Sequence, residues 1–204
     1  MLTRFRQCVT SISLATALLG ATVVHAQSRT GASPTTAPTT SPTTAPAAGA
    51  GPATAEAAAH AQAQLCADAF VRSDFNVALS YMDPAVVTTA GGAEKMNKLL
   101  AETMADMKAN AVTFQSSIVS PPTQMSSIGA HHFAILPQRL TMSLPTGTLT
   151  QDGYLLGHST DGGQTWKFVD GSGLNAETLP MLFPVTPPDL RLPPKRKPTL
   201  VPKS

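Results

Sequence analysis

The chain is 204 residues long, with 14 basic and 12 acidic side chains, 18 prolines and two cysteines. Arg191, Lys195, Arg196, Lys197 and Lys203 crowd the C-terminus against the single acid Asp189, which leaves the part with folding potential net acidic. That distribution excludes a nucleic-acid reader, which calls for a basic face on the domain itself, and makes the basic tail either a solvated end or a contact for an anionic envelope surface.

Arg4 and Arg6 give the N-terminus positive charge, Ile12 to Val24 is apolar apart from small or hydroxyl residues, and Val24-His25-Ala26 sets small residues before Gln27. These are the parts of a secretory signal over residues 1–26, and they predict export to the periplasm or beyond. An apolar stretch of about a dozen residues is shorter than the roughly 20 that span a bilayer, so the cleaved protein is expected not to span a membrane. Cleavage also removes Cys8 and leaves Cys66 as the only thiol, so no intramolecular disulfide is expected.

Residues 27–54 are almost wholly Thr, Pro, Ala, Ser and Gly, with the near repeat Ser33-Pro34-Thr35-Thr36-Ala37-Pro38 and Ser41-Pro42-Thr43-Thr44-Ala45-Pro46. Such a stretch cannot bury a core. It reads as a semi-rigid solvated spacer reaching at most roughly 80 Å at about 3.1 Å per residue. One domain is predicted over residues 55–171, followed by a Pro-rich, basic C-terminal extension over residues 172–204.

Within the domain, Glu56 to Val71 has an alanine-rich opening and then Leu65, Cys66, Ala69 and Phe70 near helical spacing, which predicts a helix with Cys66 as a small buried side chain. Ser73 is expected to cap a second short helix carrying Phe75, Leu79 and Met82 inward, stopped by Asp83-Pro84. Ala85 to Thr89 reads as a brief strand. After Gly91-Gly92 a third helix places Met96, Leu99, Leu100, Met104 and Met107 on one face, with Lys95, Lys98, Glu102 and Asp106 outward.

The period then changes to two. Val112 to Val119, Met125 to Leu144, Thr148 to His158 and Gln164 to Asp170 are predicted strands, with turns at Pro121-Pro122, Pro145-Thr146-Gly147 and Asp161-Gly162-Gly163. Ala134, Leu136, Gln138, Leu140, Met142 and Leu144 share one face of the long strand, and Pro137 marks an edge or bulge in it. The fold class is therefore α+β, three helices packed on a curved antiparallel sheet.

That order of elements resembles the nuclear transport factor 2-like fold, the cone shared by steroid delta-isomerase and scytalone dehydratase. The resemblance rests on Ser73 to Val87, similar to the joint between the family's first helices and first strand, and on Trp166-Lys167-Phe168-Val169-Asp170, similar to its last strand. It implies a cone whose mouth accepts a small apolar ligand, and pairing of two chains through the open sheet face. The isomerase branch needs a carboxylate base at the end of the first strand, and that position falls at about Thr89. Its first-helix tyrosine falls near Cys66. No Asp or Glu occurs between Met107 and Gln151, so carboxylate-driven catalysis on the cone is disfavoured.

A shorter motif, Ser159-Thr160-Asp161-Gly162-Gly163-Gln164-Thr165-Trp166, resembles the Asp-box hairpin of sialidases. The resemblance implies that Asp161 and Ser159 bond turn amides, that a glycine takes positive φ and that Trp166 packs beneath. A single copy is a hairpin staple, since a propeller needs several blades at a fixed period.

His131 and His132 are neighbours on a strand, point to opposite faces and cannot chelate one metal together; His158 is distant in sequence, and a third close ligand would have to come from His60 or from the acids outside the strands. No nucleophile elbow, phosphate loop or cofactor motif is found. What remains is an apolar set, Met96, Leu100, Met104, Leu136, Met142 and Phe168, which either fills the core or lines a pocket. If it lines a pocket, Gln138, His132, Thr113 and Met142 are the expected ligand contacts. The function expected is an exported small-ligand- or protein-binding module without catalytic residues. The alternatives are a carboxylate-independent enzyme on the same cone acting on a small apolar substrate through His and Gln, and an envelope scaffold acting through its tail.

Overall fold

Thr54 Oγ1 accepts the Ala57 N–H at 3.2 Å and opens helix α1 (Ala55–Val71), the first element of the computed structural model, which describes residues 54–203. The expected secretory signal, residues 1–26, and the spacer up to residue 53 lie outside the described residues. Helices α2 (Phe75–Tyr81), α3 (Pro84–Thr89) and α4 (Ala93–Ala109) follow. Then come strands β1 (Thr113–Val119), β2 (Gln124–Ile128), β3 (His131–Leu144), β4 (Gly147–Ser159) and β5 (Lys167–Asp170), a single helical turn α5 (Leu179–Leu182), and β6 (Thr199–Pro202). The class is α+β, with a curled antiparallel half-barrel sheet.

Two long strands organise that sheet. β3 and β4 pair without a break from His132↔Ser159 to Leu144↔Gly147. Two short strands lie end to end along each outer edge: β2 and β1 on β3, β5 and β6 on β4. Pro137 falls in the gap between Val119↔Gln138 and Gln124↔Ile135, where neither edge strand pairs with it. A residue without an N–H is tolerated there because no ladder bond is owed.

Several expectations are corrected. Residues 85–89 are helix α3, not a strand: Asp83 at the N-cap and Pro84 at the first helical position make a helix start that overrides the β-branched Val86, Val87, Thr88 and Thr89. The cap of α2 is Asp74, while Ser73 takes a left-handed φ of 60° before it. The predicted strand from Met125 to Leu144 is a hairpin of β2 and β3 folded at Gly129, whose φ is 58°. Leu65 is 49% exposed; α1 instead buries the stripe Ala59, Ala63 and Ala67. β5 begins only at Lys167, because the hairpin before it consumes Gln164 to Trp166.

The alanine stripe lets α1 lie close to one sheet face, against Val119, Ala134, Leu136, Leu155, Trp166 and Phe168. A second cluster joins Phe133, Ile135, Tyr154, Leu156 and Val169 of the sheet to Val86, Met96 and, from the C-terminal segment, Leu174, Phe183 and Leu190. Met107 of α4 meets Met142, Leu144 and Leu149 in a third. The segment after residue 171 is thus a strap across the sheet. Gln124 Nε2 donates to Asp189 O at 2.7 Å, Ser126 Oγ to Asp189 Oδ2 at 2.9 Å, and the Arg191 N–H to Gln124 Oε1 at 3.1 Å. Each large apolar side chain buried by the strap contributes about 1.5–3 kcal/mol against the entropy of ordering it.

Candidate functional site

The Asp-box hairpin closes one end of β4. Asp161 Oδ1 accepts the Gln164 and Thr165 N–H groups, each at 3.0 Å, and also the Ser159 hydroxyl at 2.8 Å; Oδ2 accepts the Thr165 hydroxyl. Those donors, the Thr165 hydroxyl foremost, hold the exposed Asp161 carboxyl well below the usual carboxylate range. Gly162 and Gly163 take φ of 78° and 86°, and the buried Trp166 donates its indole N–H to Gly163 O at 2.9 Å. A Cβ on Gly163 would lie 2.4 Å from that of Ala55, so the staple is seated on the start of α1. Gln62 fastens it by donating to Gln164 O and accepting the Trp166 N–H. This end of the molecule is structural, as the motif implied.

Beside it lies a different arrangement. Asp83 is 4% exposed. Its N–H donates to Phe168 O at 3.0 Å, and its Oδ1 caps α3 by accepting the Ala85 N–H at 2.9 Å. Oδ2 is 3.2 Å from His158 Nδ1, and His158 Nε2 is 3.0 Å from His131 Nδ1. The two imidazoles are within 7° of parallel, with ring centres 5.3 Å apart. His158 also lies 4.9 Å from the Phe133 ring and edge-on to Phe183 at 5.0 Å.

A carboxylate only accepts, so Asp83 fixes the proton of His158 on Nδ1. With both imidazoles neutral, Nε2 of His158 then accepts the Nδ1–H of His131, which leaves His131 Nε2 as a lone pair. This triad borders a half-open cleft of about 500 Å³. Pro84, Ala85, Leu182, Phe183, Pro184 and Val185 give it apolar walls, and Ser159, Thr160, Thr165 and Lys167 polar ones.

The four contacts expected from sequence are not gathered in this cleft. His132 faces away from His131, with Nδ1 2.8 Å from the Ser127 hydroxyl. Thr113 is exposed at the start of β1, opposite Ser143. Met142 is buried with Met107 in the third cluster. Gln138 donates to Ser117 Oγ at 2.8 Å and borders a second cleft of about 620 Å³, between β4 and Pro193 to Arg196 of the strap. Nor does His60 approach the other histidines: its Nε2 is 2.9 Å from Val119 O. Met96, Leu136 and Phe168 are all fully buried core. Among the described residues no group of three or more His, Cys, Asp or Glu side chains is arranged to hold a metal ion.

Sequence reasoning missed Asp83 and the pairing of His131 with His158. Counting outward from the turn at Pro145-Thr146 sets His158 opposite Phe133 and on the same face as His131, so half of the triad was recoverable from register. Asp83 carried no such signal beyond its role as a helix boundary. Cys66, with its thiol pushed up to about 12 by burial, takes no part.

Compared with models of protein families, with characterised proteins and with solved structures, the chain matches none. No described helix is long and apolar enough to cross a membrane.

Proposed function

We propose that this protein is an exported small-ligand-binding module of the nuclear transport factor 2-like type, and that its ligand sits in the cleft over His131. The observation that carries the reading is a largely apolar cleft lined by two hydrogen-bonded imidazoles, His131 and His158, and backed by the buried carboxylate of Asp83. Small-molecule sites have this composition, a few convergent polar groups in an apolar surround of roughly 300–1,000 Å³. Export rests on residues 1–26, and the tethering role of residues 27–54 on their composition. What supports the cone reading is the curled antiparallel sheet with α1 packed on its Ala134 and Leu136 face. At the family's first strand this chain has α3 instead, and Thr89, matched to the isomerase base, turns its hydroxyl back to Ala85 O at 2.8 Å.

A second reading, an enzyme acting through histidine, is favoured by the same triad, because Asp83 and His158 orient His131 as they would a general base. In that reading a carboxylate does take part, through orientation. Neither reading needs a second chain to complete the cleft.

Thermal unfolding of the purified protein against small apolar acids, alcohols, sterols and metal ions tests the proposal, since a ligand bound only by the folded state raises the midpoint. One class is expected to raise it, and Val185→Trp, at the exposed rim of the cleft, to abolish the shift. No shift with any compound would overturn it.

A further inference from the structure

We infer that the cleft takes a small amphipathic carboxylic acid and that binding it loads a proton onto His131 Nε2. The inference rests on the binding reading above and names its ligand class. Two fixed charges border the cleft, the Asp83 carboxylate and the Lys167 ammonium, whose strand neighbour across the ladder is His158. Lys167 Nζ donates to Ser80 O at 2.6 Å, which keeps it at this end of the sheet. Asp161, on the hairpin that supplies Thr165, is already saturated by its own turn. The strap from Leu182 to Val185 brings no charge.

With both imidazoles neutral, the fixed charges at the cleft cancel. The open position is then the lone pair on His131 Nε2. A carboxylate entering such a site is met by no net positive charge until His131 is protonated. The proton has one place to go, because His158 Nε2 and His131 Nδ1 already share a hydrogen and His158 Nδ1 is held by Asp83. Taken from solvent onto Nε2, it makes an imidazolium that donates to the ligand carboxylate, while Asp83 stabilises the charge through His158. The ligand's apolar body is accommodated by Phe183, Pro184 and Val185. Nothing at the cleft offers a guanidinium fork for a dianionic phosphate.

Isothermal titration of the full chain with 4-phenylbutyrate and with its amide, each in two buffers of different ionisation heat at about pH 7.5, tests this. The acid is expected to bind with proton uptake and to weaken as pH rises, as linkage requires. The amide is expected to bind at least about tenfold more weakly. His131→Gln should abolish the proton uptake, and Val185→Trp should abolish binding with the unfolding midpoint unchanged. Equal affinity for acid and amide, binding of the acid without proton uptake, or no binding of the acid would each overturn the inference. If neutral compounds still bind in a manner sensitive to Val185→Trp, the binding reading survives and only the acid assignment falls. If nothing binds, both fall.

Discussion

Asp161 and Asp83 stand at the same end of the sheet and do opposite work. Asp161 is exposed and bonded only to groups within four residues of it, so it closes a turn and leaves nothing over. Asp83 is buried, caps a helix with one oxygen and reaches 75 residues along the chain with the other. A carboxylate satisfied by its own turn is a staple. One whose second oxygen is held by a side chain that opens on a cleft can transmit charge to whatever binds there.

The staple's Trp166 offers the hardest test. Trp166→Ala removes a side chain that is 1% exposed and is expected to cost about 3–5 kcal/mol in urea unfolding. The loss should also loosen the N-terminal turn of α1, readable as faster amide exchange there.

The relay is sharpened by a double-mutant cycle. Asp83→Asn and His158→Leu are each expected to cost about 1–3 kcal/mol, since each leaves a largely buried polar partner behind. Together they should cost less than their sum, with a coupling of about 0.5–3 kcal/mol. Asp161→Asn combined with His158→Leu should instead be additive, and a comparable coupling there would erase the distinction between staple and relay.

A smaller effect tests the staple by pH. The folded carboxyl of Asp161 titrates below its unfolded counterpart, so its contribution is present above the unfolded value of about 4 and is lost as pH falls through the folded one. Acid unfolding of Asp161→Asn should therefore be shallower than that of the parent below about pH 4, with the two curves parallel near neutrality. The smallest effect concerns neither acid. Because burial pushes the Cys66 thiol up to about 12, native protein should resist a thiol reagent near pH 8 and react only when unfolded. Rapid native labelling would show that the α1–α2 contact opens.

The two regions also differ in how much of them could be read in advance. The staple was legible because its bonds are local: eight consecutive residues, from Ser159 to Trp166, carry nearly all its chemistry. The strands were legible for the same reason, since alternation is a property of neighbours. Residues 85–89 were misread because β-branched side chains argued for a strand, while the cap at Asp83-Pro84 and packing of Val86 against Met96 and the sheet decided for a helix. Of the expected inward set on α1, Leu65 was misplaced because it is the larger side chain, whereas close approach to the sheet selects alanine; Ala69 is buried as expected.

Composition, periodicity and turn chemistry thus determined by themselves the α+β class, the antiparallel strands, the hairpin staple and the first described helix ending at Val71, because each depends on residues within a few positions of one another. Only the tertiary structure decided that the C-terminal segment straps the sheet, and that Asp83, His131 and His158 share one chain of hydrogen bonds. Those contacts join residues 27 to 75 positions apart, and no local preference encodes a partner at that distance. They form because sheet register and the burial of Phe183 and Leu190 bring them together.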